Sequence, residues 1–480
     1  MTTLLWFGRD LRLSDNPALR AAIARGKPVV PVYILDDGEA GRWAPGAASL
    51  WWLHHSLEKL AVALDGVGSR LILRRGAAAN ELLRLVRETK AEAVYWNRRY
   101  EPWALSRDTS VRACLAEAGL EARSFNAGLL HEPTDVKTQA GRPYTVFTPF
   151  WRALRASVKV EAAQPAPRKI AAPVSFPASD ALVDWQLLPR VSWDGGLRET
   201  WTPGEAGARR RLSAFLDASA VDYAEKRNTP SVSGTSGLSP HLHFGEIGPA
   251  QIWRAAIGHG TANAGETLPR GIETFLTEIA WREFSHHLLF HSPELPEKPL
   301  RSAFARMAWR RNAFELRAWQ RGQTGYPLVD AGMRELWHTG WMHNRVRMVV
   351  ASFLVKHLLI DWREGQAWFW DTLVDADLAN NAASWQWVAG CGADAAPYFR
   401  VFSPSKQGAT YDAEGIYVRR WVPEIAKLPN ARLQAPWTAK PLELAAAGLR
   451  LGVDYPLPLV DHATARARAL AAFADLTRHT

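Results

Sequence analysis

Two hydrophobic periods divide the chain. In the first quarter, the short β-rich apolar runs TLLWFG, PVVPVYIL, SRLILRRG and AVYWNRR are separated by stretches with apolar residues at three- and four-residue spacing, NPALRAAIARG (closed by Gly26) and NELLRLVRETK. Strands and helices alternating through short links predict a parallel, Rossmann-like sheet with helices on both faces over residues 1–130. No G-x-G-x-x-G follows the first strand, so a dinucleotide fingerprint is absent there, although a nucleotide-like ligand suits the carboxyl ends of such strands. The period is then lost: VEAAQPAPRKIAAPVSFPASD is rich in Pro and Ala, and residues 131–203 read as a long connector lying on the surface. Over residues 204–480 the helical period dominates, in GARRRLSAFLDASAVDYAEKR, GIETFLTEIAWREFSHHLLFH, PLVDAGMRELWHTG and NRVRMVVASFLVKHLLIDW, without an internal repeat. The expected fold is an α/β N-terminal domain joined by the connector to a larger all-α C-terminal domain.

Composition narrows this reading. Of 480 residues, 47% are hydrophobic and 22% charged, as in a soluble globular protein. A net charge of +10 and a pI near 9.7 favour a polyanionic partner, nucleic acid above all. The two cysteines, Cys114 and Cys391, form no C-x-x-C, so neither a disulfide framework nor a metal ribbon is expected, in keeping with a cytoplasmic location. Arg9 and Asp10 come too early for a signal peptide, and Lys356 and His357 interrupt the one run apolar enough to suggest a membrane span. The anomaly is 23 Trp against 10 Tyr, which core filling alone leaves unaccounted for.

Four constellations carry candidate chemistry. In GTSGLSP, Ser239 before Pro240 signals a helix start, and Thr235, Ser236 and Ser239 offer hydroxyls suited to a phosphate. In TEIAWREF, Glu278, Trp281 and Arg282 fall on one helix face. In GWMHNRVRMVV, Trp341, Asn344, Arg345 and Met348 share a face, and Arg347 needs a carboxylate partner if buried, for which Asp375 is a candidate. In DADLANNAASWQW, Asp377, Asn381 and Trp385 follow one another by single helical turns, a stripe of carboxylate, amide and indole that suits a planar heteroaromatic ligand.

These motifs, in this order and spacing, resemble the DNA photolyase/cryptochrome family. The likeness is carried by LLWFGRDLRLSDNPAL, GTSGLSP, WREF, TGWMHNRVRMVVASFLVKHLLIDWREG and DADLANNAASWQWVAGCGADAAPYFRVFSP, and it extends along essentially the whole chain. It implies that the helical domain binds FAD, active as FADH⁻. Tyr223, Thr235, Ser236, Leu238 and Ser239 would hold its phosphates and neighbouring groups, Phe275 and Arg282 would lie beside it, Arg347 and Asp375 would form the ion pair against the flavin, Asp377 would bond it nearby, and Asn381 would face its N5. Trp385, Trp362 and Trp309 match the family's electron-transfer chain.

The resemblance also implies a carbon–carbon lyase acting on DNA. H-N-R-x-R-M at His343–Met348 is the pattern of enzymes that repair cyclobutane pyrimidine dimers. Glu278 and Asn344 would bond the flipped-out lesion, Met348 would lie beside it, Trp281 and Trp387 would wall it, and Arg227, Arg345 and Lys406 would meet phosphates and the pocket rim. A monomer is expected. Ala104 stands where members with the standard folate antenna carry glutamate, whereas GAASLWWLHHSL and TEIAWREFSHHLLFH resemble the proteobacterial class III branch, whose folate sits differently. Methenyltetrahydrofolate is therefore the favoured antenna and 8-hydroxy-deazaflavin the alternative. The competing function is a cryptochrome-like photoreceptor without repair.

Overall fold

The protein is described from a computed structural model covering residues 1–36, 38–264, 267–398 and 400–478. Five parallel strands form one sheet in the order β3-β2-β1-β4-β5, with β1 Thr2–Phe7, β2 Val29–Leu35, β3 Ile72–Arg75, β4 Ala91–Asn97 and β5 Glu121–Phe125. Every residue of the central strand β1 is buried, as a strand covered on both faces requires. The Asn16 side chain caps the helix Pro17–Ala24 by accepting the Leu19 N–H, with Pro17 in its first turn. The edge strand β5 escapes the hydrophobic period: no residue of its EARSF sequence is fully buried, and it is held by pairing with β4.

The connector is less superficial than its composition suggests. It contains a helix at Phe147–Ser157, and Ile170 is buried at 1% exposure. Its backbone bonds back onto the α/β layer, from Ile170 N–H to Val67 O and from Val29 N–H to Ala171 O. A Pro-rich strand-like segment still needs partners for its remaining N–H and C=O groups, and the sheet's periphery supplies them.

In the helical region two expected helices are interrupted. GARRRLSAFLDASAVDYAEKR divides into Glu205–Ala218 and Tyr223–Lys226, and Gly271 packs against the Ala220 and Val221 carbonyls at the break, where a Cβ would collide with them. NRVRMVVASFLVKHLLIDW runs helical only from Asn344 to Ser352, passes through a π turn at Phe353–His357, and reaches Leu359 in a left-handed conformation (φ 54°). A new helix, Trp362–Thr372, starts from the Asp361 side-chain cap. Arg310 closes the break, its backbone N–H donating to Leu359 O and its guanidinium to Leu358 O. No helix among the described residues is long and apolar enough to cross a membrane.

Where the two regions meet, Gly245 (φ 66°) lies against the backbone of Arg9 and Asp10, at the carboxyl end of β1. Arg12, 2% exposed, donates to Gly245 O at 2.8 Å and Ala127 O at 3.0 Å. Gly245→Ala combines a left-handed conformation with a Cβ inside the Arg9 carbonyl's van der Waals envelope. A loss of roughly 2–5 kcal/mol is expected, read as a lowered midpoint in urea unfolding.

Candidate functional site

A cavity of about 550 Å³ lies within the helical region, between the loop 235–239 and the helices Arg270–His291, Asn344–Ser352 and Leu378–Ala389. Its lining gathers residues from four separated stretches of sequence, which the two interruptions described above allow to converge. Tyr223, Thr235, Ser236, Leu238, Ser239, Phe275, Arg282, Arg347, Asp375, Asp377, Asn381 and Trp385 all face it. So do the more exposed Arg227, Glu278, Trp281, Asn344, Met348 and Trp387.

The inner part is polar and ordered. Arg347 and Asp375 form the ion pair expected of a buried guanidinium, at 2.9 Å, and Arg347 Nε donates to Met342 O at 2.7 Å. Asn381 Nδ2 donates to Gln366 O at 3.1 Å, which turns its Oδ1 into the free acceptor. Asp377 departs from the expected stripe: it precedes the helix Leu378–Ala389 and caps it, accepting the Asn380 N–H at 2.9 Å. Its Oδ2 lies 3.4 Å from His286 Nε2 and 4.0 Å from His243 Nδ1. Burial would raise its pKa, but His286, Arg282 and His243 together hold it well below the usual carboxylate range. Behind them, Arg9 of the N-terminal region contacts His243 at 3.1 Å and pairs with Glu101 at 3.5 Å.

The loop 235–239 also differs in detail. Ser239 is the first residue of a short helix, Ser239–His243, rather than its cap, and makes no capping bond. The Thr235, Ser236 and Ser239 side chains nevertheless line the cavity, and Gly237 (φ 59°) admits the Arg211 guanidinium where any Cβ would collide with it. Tyr223 packs edge-on to Phe275, centroids 5.5 Å apart.

Among the outer residues, Glu278 is paired with Arg227 at 2.5 Å. One face of Trp281 is covered by Phe147, stacked at 3.7 Å and 7°, which leaves the other for a ligand. Trp341 precedes the helix that carries Asn344 instead of sharing its face, and still lines the cavity. Arg345 lies outside the lining: it bonds Asn228 Oδ1 at 2.5 Å and sits over the Tyr411 ring at 4.4 Å. Lys406 is also outside it, exposed on the helix Pro404–Tyr411. Of the three tryptophans, Trp385 lines the cavity at 2% exposure, Trp362 is buried at 1% at the start of the helix Trp362–Thr372, and Trp309 is half-buried. Gly365 brings their helices together, since a Cβ there would collide with the Trp385 indole. Trp309 adjoins Arg310, which anchors its segment beside Leu359.

His243, His286, Phe147 and Arg9 belong to this environment but were not legible as site residues. The histidines of HLHFGE and SHHLLFH are a local signal for the first two, whereas Arg9 and Phe147 arrive only by long-range packing.

A flavin dinucleotide requires hydroxyls and cationic groups near its pyrophosphate, a buried ion pair and amide beside its ring edge, and an aromatic, water-poor surround. The hydroxyls of 235–239 with Arg211, the Arg347–Asp375 pair, the free Asn381 Oδ1 and the Phe275 and Trp385 rings meet these needs, and His243 Nε2 is a buried atom still lacking a partner. The residues present therefore fit FAD.

Comparison with known proteins gives the same assignment. The family model for the FAD binding domain of DNA photolyase matches residues 275–475, and the DNA photolyase model matches residues 3–169. The chain is 50% identical to a deoxyribodipyrimidine photo-lyase of Agrobacterium fabrum, over 99% of this chain and 98% of that one. It is 39% identical to cryptochrome-1 of Arabidopsis thaliana, over 97% of this chain and 69% of the plant protein. The crystal structure of a bacterial class III photolyase from Agrobacterium tumefaciens superposes with a TM-score of 0.96 at 50% identity, covering 99% of this chain and 98% of that one.

Proposed function

The chain belongs to the DNA photolyase family, and from that premise we propose that its cavity receives a cyclobutane pyrimidine dimer flipped out of DNA and splits it under blue light. The observation that carries this is the pairing of an FAD-compatible inner cavity with an outer wall of Trp281, Trp387, Glu278, Asn344 and Met348. FAD, bound in reduced form, supplies the light-driven electron. The chain's own residues do the rest. The free faces of Trp281 and Trp387 stack on the lesion and exclude water. The Glu278 carboxylate, held by Arg227, accepts a pyrimidine N–H, and the Asn344 amide bonds a pyrimidine edge where charge develops. The free Asn381 Oδ1 accepts a ring N–H, which favours the reduced cofactor. Asp377, held well below the usual carboxylate range by His286, Arg282 and His243, orients the groups around it.

In this reading residues 1–130 harvest light, 131–203 connect, and 204–480 hold the flavin. Methenyltetrahydrofolate remains the favoured antenna and 8-hydroxy-deazaflavin the alternative, with Ala104 fully buried and Arg99 lying over Trp103 at 4.4 Å near the carboxyl ends of the strands. Trp385, Trp362 and Trp309 carry electrons inward. The protein acts as a cytoplasmic monomer, a reading that the free thiols Cys114 and Cys391 suit.

The test is repair of two oligonucleotides, one with a cyclobutane thymine dimer and one with a (6-4) photoproduct, in light and in darkness. Light-dependent restoration of the first alone is expected. Restoration of neither by the reduced, FAD-loaded protein would sink the proposal in favour of a photoreceptor. Arg345 and Lys406 extend the cavity's rim toward phosphates. Lys406→Ala should weaken binding to damaged and undamaged DNA alike and reduce the slope of log K against log salt by about 1, measured by fluorescence anisotropy.

A further inference from the structure

Glu335 is a carboxylate that the repair chemistry leaves without a role. It sits on the helix Pro327–Thr339 at 8% exposure. Its Oε2 accepts two hydrogen bonds, from the Tyr417 hydroxyl at 2.6 Å and from the His343 backbone N–H at 3.2 Å. His343 is the cap of the helix that begins at Asn344, and its Nδ1 accepts the Arg345 N–H at 3.2 Å. Its carbonyl receives the Val346 and Arg347 N–H groups, both at 2.9 Å. The remainder of the turn is pinned by Thr339 Oγ1, which accepts the Trp341 N–H at 3.1 Å.

Asn344 itself is exposed and makes no side-chain hydrogen bond among the described residues. Its amide is therefore placed by backbone alone, by the helix it opens and by the turn that precedes it. That backbone is anchored at His343, and the anchor on its N–H is Glu335. Tyr417 in turn is held by Asp412, which accepts the Tyr417 and Val418 N–H groups at 2.9 and 3.0 Å. A chain of three buried residues thus runs from the helix Ile416–Trp421 to the residue before Asn344.

We propose that Glu335 is a positioning residue for lesion recognition, bracing through the His343 N–H the helix start that presents Asn344, with Tyr417 holding the brace. This rests on the reading of Asn344 as a lesion contact. Besides Tyr417, His343 and Asp412, the charged groups that bear on the carboxylate and its brace are Arg347 from the Asn344–Ser352 helix and Arg420 from the Ile416–Trp421 helix, with Arg345 and Arg227 acting on His343.

The brace has a built-in pH response. Burial pushes Glu335 up to about 7, against the opposing pull of Tyr417, the His343 N–H, Arg347 and Arg420. Burial also raises the Tyr417 hydroxyl well above its usual value, and burial with Arg345 lowers His343 to about 4, so both stay neutral across that range. Only the acceptor then changes. Ionised Glu335 makes charge-assisted bonds, whereas the protonated acid keeps weaker ones through Oε2. The brace is accordingly tighter above pH 7 and looser below it.

The experiment measures, in darkness, the ratio of affinities for dimer-containing and undamaged duplex between pH 6 and 8, for the FAD-loaded wild type, Glu335→Ala, Glu335→Gln, Tyr417→Phe and Asn344→Ala. The ratio cancels general phosphate binding. It should fall about tenfold in Glu335→Ala and severalfold in Tyr417→Phe. It should drop severalfold from pH 8 to 6 in the wild type and stay flat in Glu335→Gln, a contrast that a merely structural role would not produce. Tyr417→Phe removes one hydroxyl and keeps the carboxylate, so it tests the brace even if Glu335→Ala does not fold. A wild-type ratio in Tyr417→Phe, or an unaltered pH profile in Glu335→Gln, overturns the proposal. An unchanged ratio in Asn344→Ala would instead overturn the lesion role of Asn344 and the inference built on it.

Discussion

Asp377→Ala is expected to yield protein that purifies largely without flavin and melts well below the wild type. Two losses coincide at this residue. The first is the cap on the helix Leu378–Ala389, which carries Asn381, Trp385 and Trp387, a contribution of about 0.5–2 kcal/mol. The second is the buried anion beside the Arg282 guanidinium and the His286 and His243 rings, with the Arg9 guanidinium behind; burial and Arg9 hold His243 well below its usual value, so it meets Asp377 as a neutral ring. Removing one partner of such a buried cluster costs about 3–5 kcal/mol, since the remaining charge is left uncompensated. Asp377→Asn separates the two. Asparagine caps as well as aspartate, so the helix start should survive while the charge is lost. Differential scanning calorimetry and the flavin-to-protein absorbance ratio would check both variants. Flavin occupancy and melting temperature like those of the wild type in Asp377→Ala would remove Asp377 from the cofactor site.

Trp385→Phe is expected to abolish light-driven reduction of oxidised flavin while sparing repair by protein reduced chemically beforehand. Trp385 alone of the proposed three lines the cavity, so an electron leaving Trp362 has no other member of that chain through which to enter. Phenylalanine keeps an aromatic ring against Phe369, whose centroid is 5.1 Å from that of Trp385, and relieves the tight contact with Gly365, so the fold should tolerate it. Its ring is far harder to oxidise than indole. The check is the appearance of reduced-flavin absorbance under blue light with an external thiol, followed by dark-prereduced repair of a dimer. Photoreduction at the wild-type rate would route the electrons elsewhere. Trp319 would then be the first residue to examine, because its ring lies 6.3 Å from Trp385.

Much of the site could be read from the chain because its parts are local. Glu278, Trp281 and Arg282 lie within one turn and a half of a regular helix, and the spacing of such residues fixes which face they share. The Arg347–Asp375 pair could be anticipated because a buried guanidinium requires a carboxylate, and both stand in motifs already suspect. The misjudged details are those in which a single residue decides between neighbouring backbone states. Asp377 and Ser239 lie at helix starts, where one position separates a cap from a first turn, and hydroxyl or carboxylate side chains are common at both. The long helix expected after Asn344 gives way after Ser352 and turns at Leu359, whose left-handed backbone is held by bonds from Arg310, 49 residues earlier, and no local pattern announces that.

By itself the sequence determined the alternation of strands and helices, the helical character of the second half and the residue types able to hold a flavin and a lesion, because periodicity and composition act over a few neighbouring positions. Only the tertiary structure decided what those residues do to one another. It turned the Asn381 amide by a bond to Gln366 O, paired Glu278 with Arg227, brought Arg9 across from the N-terminal region behind His243, and set Glu335 under the turn before Asn344. Each of these is a contact between distant segments whose buried polar groups must find partners. Which partner each finds is settled only when the whole core closes.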